Sequence, residues 1–97
     1  MRYEIELAPE AIEDLKRLKP NLGAQVTGAM ETHLRHEPTK TSRSRIKRLR
    51  GLSKPQYRLR VDAIRVFYDV SKRKVEVLAI AMKADADAWL TKAGERL

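Results

Sequence analysis

The sequence predicts an α+β fold: an N-terminal strand, an antiparallel helical hairpin, then a mostly antiparallel, twisted sheet with a short C-terminal helix. Three observations carry that expectation. Residues 2–7 alternate polar and apolar side chains. Two stretches between 8 and 37 place apolar residues at helical spacing. Four runs of strand character follow between 45 and 82. Helices grouped ahead of a strand meander pack onto one sheet rather than alternating with its strands.

In the first run Tyr3, Ile5 and Leu7 share one face and Arg2, Glu4 and Glu6 the other, the pattern of a half-buried strand. Pro9 stands near the first position of a helix, with Glu10, Glu13 and Asp14 as acids in its early turns. Ile12, Leu15 and Leu18 form its apolar stripe, and Pro20 ends it. Asn21 is the expected N-cap of a second helix, lined by Leu22, Val26, Ala29, Met30 and Leu34 and finished before Pro38. A polar, basic connector over 39–44 leads to strands at 45–50, 57–61, 64–70 and 74–82. In the last of these, Val75, Val77 and Ala79 alternate with Glu76, Leu78 and Ile80. Apolar residues on both faces of its latter half mark a strand covered on both sides. Residues 71–73 make a natural hairpin turn. A helix over 84–93, stopped by Gly94, closes the chain.

The chain of 97 residues is read as one domain spanning 1–97, with no internal repeat. Apolar residues at 42% and charged residues at 35% make it globular rather than disordered. Without cysteine it has neither a disulfide framework nor a thiolate metal site. No apolar run reaches the length of a membrane span, and the first residues lack a signal peptide's hydrophobic stretch, so the cytoplasm is expected. His33 and His36 have no third ligand nearby, so no metal site is expected.

The net charge of +8 sits in one block. Residues 38–61 hold nine basic side chains and no acid: Lys40, Arg43, Arg45, Lys47, Arg48, Arg50, Lys54, Arg58 and Arg60. The rest of the chain has twelve basic and thirteen acidic residues, a net of −1. Such a block is an electrostatic footprint for phosphates, RNA foremost, or for an acidic partner, unless it is only a solvated loop. Lys40, Arg43, Arg45, Lys47, Arg48, Arg50 and Lys54 are therefore candidate RNA-binding residues.

A two-residue turn at Asp62 and Ala63 would pair Val61 with Ile64, Arg60 with Arg65 and Arg58 with Phe67. Leu59, Val61, Ile64 and Val66 would then face the core, and Arg58, Arg60 and Arg65 the other side. Like charges opposite one another destabilise a sheet, so the register asks which anion sits there. The plain alternative is a solvated strand face paired with Asp62 or Asp69.

Three stretches resemble the RelE/ParE superfamily of type II toxin–antitoxin toxins. Lys47-Arg48-Leu49-Arg50-Gly51 is similar to the family's strand end. Tyr57-Arg58-Leu59-Arg60 and Ile64-Arg65-Val66-Phe67-Tyr68-Asp69-Val70 are similar to its hairpin. The run from Val75 to Met82 is similar to its last hydrophobic strand. The ordered set covers nearly the whole chain and implies a RelE-like fold.

RelE-like members cut mRNA in the ribosomal A site through the substrate's own 2′-hydroxyl, without metal or cofactor. The resemblance therefore implies an endoribonuclease that inhibits translation, bound and neutralised by a cognate antitoxin in an oligomeric complex. By position it assigns Arg58, Arg60 and Arg65 to the catalytic strands and Lys83 to the basic residue after the last strand. Where the family often has a tyrosine in the closing helix, Trp89 or Leu90 stands here. Indole can stack on an RNA base but cannot shuttle a proton, so Trp89 is a candidate for base stacking or for plain core packing, and Tyr57 and Tyr68 are the phenols of the hairpin. ParE-like relatives instead inhibit DNA gyrase. That alternative, or non-catalytic nucleic-acid binding, stands beside the ribonuclease reading.

Overall fold

The computed structural model describes residues 2–52 and 54–95. The elements run β1 (Glu4–Leu7), α1 (Pro9–Arg17), α2 (Pro20–Leu34), β2 (Ile46–Arg48), β3 (Tyr57–Val61), β4 (Ile64–Ser71), β5 (Lys74–Met82) and α3 (Lys83–Glu95). The strands form one sheet in the order β1-β5-β4-β3-β2. β1 lies parallel to β5, and the other three pairs are antiparallel. The α+β architecture expected from the sequence is the one observed.

The main core lies between the sheet and the first two helices. Ala11 from α1 and Val26, Met30 and Leu34 from α2 meet Leu59, Val66, Tyr68, Val75, Val77 and Ile80 from the strands. A smaller cluster on the opposite face joins Phe67 and Ala79 to Ala86 of α3, with Trp89 and Leu90 packed against it. β4 and β5 are therefore covered on both sides.

Four expectations are corrected. Pro20 occupies the first turn of α2 with Lys19 as its N-cap, so Asn21 lies inside the helix. Proline lacks an N–H and fixes φ, which suits a helix's first position as well as it suits ending the previous helix. Next, α1 buries Ala11 completely and leaves Ile12 42% exposed. The rotation brings the Asp14 carboxylate to the Ile80 N–H at 2.9 Å. β1 ends opposite Val77, so no strand neighbour reaches that N–H and the carboxylate takes the position.

Third, β5 carries a bulge. Phe67 pairs with Ala79 but Tyr68 pairs with Val77, leaving Leu78 as the extra residue. The bulge reverses the alternation, so Ile80 joins Val75 and Val77 in the main core while Ala79 faces α3. Finally, α3 continues through Gly94 to Glu95.

The rotation of α1 predicts a contrast. Leu34→Ala removes a fully buried side chain and is expected to cost about 2–5 kcal/mol. Ile12→Lys is expected to change stability by less than about 0.5 kcal/mol. Urea denaturation of both variants checks the pair.

Candidate nucleic-acid interface

The site is built on the β3–β4 hairpin. Asp62 sits at φ 51°, a conformation that Asp tolerates better than most residues, and closes the turn in two residues. The register pairs Val61 with Ile64, Arg60 with Arg65 and Arg58 with Phe67, while β2 sets Lys47 opposite Arg58. Residues opposite one another point the same way, so Lys47, Arg58, Arg60 and Arg65 share the sheet face away from α1 and α2.

Each of these groups is held differently. Arg65 is only 7% exposed. Its Nη1 donates to the carbonyls of Asp62 (2.7 Å) and Ile64 (3.1 Å), which fixes its guanidinium against the turn. The Asp62 carboxylate accepts a hydrogen bond from the Gln25 amide of α2. The Ala63 carbonyl accepts the Lys83 N–H at 2.6 Å. One turn therefore ties α2, Arg65 and the start of α3 together, and it brings the backbone of Lys83 to the arginine end of the sheet. Gln25 carries no signal in the sequence, because its contact spans 37 residues.

The electrostatics are unusual for a strand face. Arg58 Nε is buried with no hydrogen-bond partner. Its guanidinium holds its proton less tightly than usual, first because it is buried and then because Arg65 and Arg60 stand beside it. Among the described residues no salt bridge reaches Arg58, Arg60 or Arg65. Neither candidate counter-ion serves them. Asp62 is engaged by Gln25, and Asp69 accepts from the Gln56 N–H at 2.7 Å and lies 3.8 Å from Lys54. Burial raises the Asp69 pKa against those two influences. Three guanidiniums thus repel one another on a partly dry surface, a repulsion that an anion would relieve.

The basic block divides. Lys40 pairs with Glu37 at 3.5 Å, and Lys54 with Glu76 at 3.6 Å as well as with Asp69. Arg48 lies 5.1 Å from the centre of the Tyr57 ring, on the core side of the sheet. Arg43, Arg45 and Arg50 are exposed around β2. Among the candidates in the block for binding RNA, Lys47 is set opposite Arg58 by the strand register.

Trp89 stacks on Phe67 with ring centroids 4.9 Å apart and planes 10° from parallel. Its Nε1 donates to Glu10 of α1 at 3.1 Å. One face of the indole is therefore occupied within the fold. Tyr57 and Tyr68 stack on each other at 5.5 Å on the core side, remote from the arginine face. No phenol of the hairpin joins the arginines. Among the described residues no group of three side chains could hold a metal ion.

A family model described as the ParE toxin of the type II toxin–antitoxin system parDE matches residues 5–86. No curated protein sequence matches the chain. Solved structures do. E. coli toxin RelE, as a mutant with two arginines changed to alanine and in the free state, aligns over 100% of this chain and 99% of its own with 21% identity and a TM-score of 0.75. The toxin–antitoxin complex RelBE2 from Mycobacterium tuberculosis aligns over 84% and 99% with 23% identity and a TM-score of 0.73. The archaeal RelE–RelB complex from Pyrococcus horikoshii aligns over 86% and 97% with 20% identity and a TM-score of 0.69. At these identities the likeness is one of fold.

Proposed function

The chain belongs to the ParE toxin family of type II toxin–antitoxin systems, and from that premise we propose that it is a toxin that cleaves mRNA on the ribosome. One observation supports this reading above the others. Arg58, Arg60 and Arg65 converge on one sheet face with no carboxylate among the described residues to neutralise them.

Cleavage through the substrate uses its own 2′-oxygen as nucleophile. That oxygen attacks the adjacent phosphorus, the bond to the 5′-oxygen breaks, and a 2′,3′-cyclic phosphate and a 5′-hydroxyl result. The proton on the 2′-hydroxyl passes to water and the departing 5′-oxygen must gain one. Arginine hardly ever gives up its proton, so it serves the phosphate rather than the base step. Arg65, fixed by two carbonyls, and Arg60 beside it offer forked donors to the phosphoryl oxygens as charge grows there. Arg58, whose hold on its proton is weakened by burial and by Arg65 and Arg60 beside it, is assigned the donation toward the leaving oxygen. Lys83, at the same end of the sheet, is a second donor.

Action on the ribosome implies the cytoplasm, and among the described residues no helix is long and apolar enough to cross a membrane. The related structures titled as RelE–RelB and RelBE2 complexes support a cognate antitoxin as partner here. Acidic residues of that antitoxin would neutralise the same arginine face.

Mapping mRNA 5′ ends after induction tests the reading. Ribosome-dependent, codon-phased cuts are expected. Intact transcripts with blocked DNA replication would overturn it in favour of gyrase inhibition, the reading favoured by the ParE family match and by the absence of a hairpin phenol on the arginine face. Binding of single-stranded RNA is expected to weaken steeply with salt. Four contacted phosphates give a log–log slope of about −3, measurable by fluorescence anisotropy.

A further inference from the structure

A cleft of about 430 Å3 opens between α2 and the end of β3, lined by Gln25, His33, Ser44, Arg45, Arg60 and Asp62. It exists because β2 starts only at Ile46, opposite Leu59. The last residues of β3 therefore have no strand outside them, and the Arg60 N–H finds the Arg45 carbonyl at 2.8 Å instead. That bond brings the two backbones together and leaves Arg60 at the rim shared by the cleft and the arginine face. A second cavity, of about 240 Å3 around the end of α2, shares His33 and Arg45 with the first.

The lining is built for an anion. Among the described residues neither Arg45 nor Arg60 has a salt bridge. The carboxylate in the cleft, Asp62, is engaged by the Gln25 amide. Two exposed arginines, an imidazole and a hydroxyl thus line open space in which, among the described residues, the one acid is already engaged.

We propose that this cleft is a second phosphate site for a single-stranded RNA, in which Arg45 and Arg60 clamp a phosphodiester adjoining the one on the arginine face and His33 closes the site from α2. The inference rests on the ribonucleolytic reading for the identity of the polyanion, but not for the existence of the site. Arg60 belongs to both places and would hold the strand in register between them.

The charge on His33 reports occupancy. Its pKa lies below the ordinary histidine value, first through partial burial and then through Arg45. The groups facing it are Arg45 and Lys40 from the connector, Arg60 and Asp62 from the hairpin, and His36 and Glu37 at the end of its own helix. Of the two acids, Glu37 is paired with Lys40 and Asp62 is held by Gln25. An anion seated against Arg45 therefore removes the repulsion that disfavours the imidazolium. Binding and protonation then reinforce one another reciprocally, and affinity rises as pH falls through the His33 titration.

The test is an NMR titration of the histidine imidazoles in the full chain, with inorganic phosphate, a short oligouridylate, its deoxy counterpart and an oligoglutamate peptide as probes. Oligouridylate is expected to raise the His33 pKa. Arg45→Ala is expected to raise it without ligand and to weaken oligouridylate binding about tenfold, the loss of one charge-assisted contact. Arg45 is exposed, so the variant folds, and Arg45→Gln repeats the test with less change of shape. Oligouridylate binding that leaves the His33 pKa unmoved, or unweakened binding in both Arg45 variants, overturns the site. A response to oligoglutamate alone overturns its assignment to nucleic acid. Oligonucleotide binding at His33 without mRNA cleavage in cells keeps the site and removes the ribonuclease reading instead.

Discussion

If the ribonuclease reading holds, Arg65→Ala is expected to lower mRNA cleavage by about a hundredfold to a thousandfold, the range seen when one preorganised donor to a developing oxyanion is removed. The size of the effect follows from how the side chain is held. Two backbone carbonyls of the turn fix Nη1, so the remaining donors need no reorganisation when a phosphate arrives. Arg65→Lys is expected to rescue little, because a single ammonium cannot bridge the turn carbonyls and chelate a phosphate at once. Folding is expected to survive with some loss of stability, since removing Arg65 leaves the Asp62 and Ile64 carbonyls without that donor but relieves its repulsion with Arg58 and Arg60. Thermal unfolding controls for structure, and Arg60→Ala, at an exposed position, serves as the companion variant. Undiminished mRNA cleavage and growth arrest with both arginines gone would end the ribonuclease reading.

The largest stability effect is expected at Tyr68. Its ring is fully buried, stacks on Tyr57 at 5.5 Å, and its hydroxyl donates to the Pro38 carbonyl at 2.6 Å. Tyr68→Ala is expected to cost about 3–5 kcal/mol, the loss typical of a large buried aromatic ring. Tyr68→Phe leaves that carbonyl without its donor and is expected to cost about 1–3 kcal/mol. The pH dependence separates the hydroxyl from the ring. Burial, with Tyr57 adding to it, raises the Tyr68 pKa in the folded state above the ordinary phenol value. A raised folded pKa means the stabilisation is complete below the unfolded value, near 10. Above it, unfolding releases a proton, and stability falls by about 1.4 kcal/mol per pH unit until the folded group itself titrates. Urea midpoints between about pH 8 and 11 should therefore converge for the wild-type chain and Tyr68→Phe. Parallel curves would show that the phenol does not titrate in this way.

The hairpin register was legible in the sequence because it needs only local information. Two runs of period two, separated by Asp62 and Ala63, allow one pairing that puts Leu59, Val61, Ile64 and Val66 on the same side. The arginine cluster followed from that register. The stripe of α2 was legible for a similar reason, since Val26, Met30 and Leu34 recur at helical spacing and all three are buried. Where the reading of α1 failed, a partner distant in sequence decided: Asp14 turned toward Ile80, 66 residues away, and carried Ile12 outward. The bulge at Leu78 reversed half of β5 although that strand's own alternation allowed another phase.

By itself the sequence determined the order of elements, the α+β class, the concentration of charge between 38 and 61 and the face on which Arg58, Arg60 and Arg65 would meet. These depend on counting charges and on local periodicities that, unlike those of α1 and β5, met no distant contact strong enough to override them. Only the tertiary structure decided which charges stay unneutralised. Lys54 folds against Asp69 and Glu76, Asp62 turns to Gln25, Trp89 covers Phe67, and the arginines are left without a carboxylate among the described residues. Ion pairing and burial depend on distances of a few ångströms between residues tens of positions apart, and those distances exist only once the chain has folded.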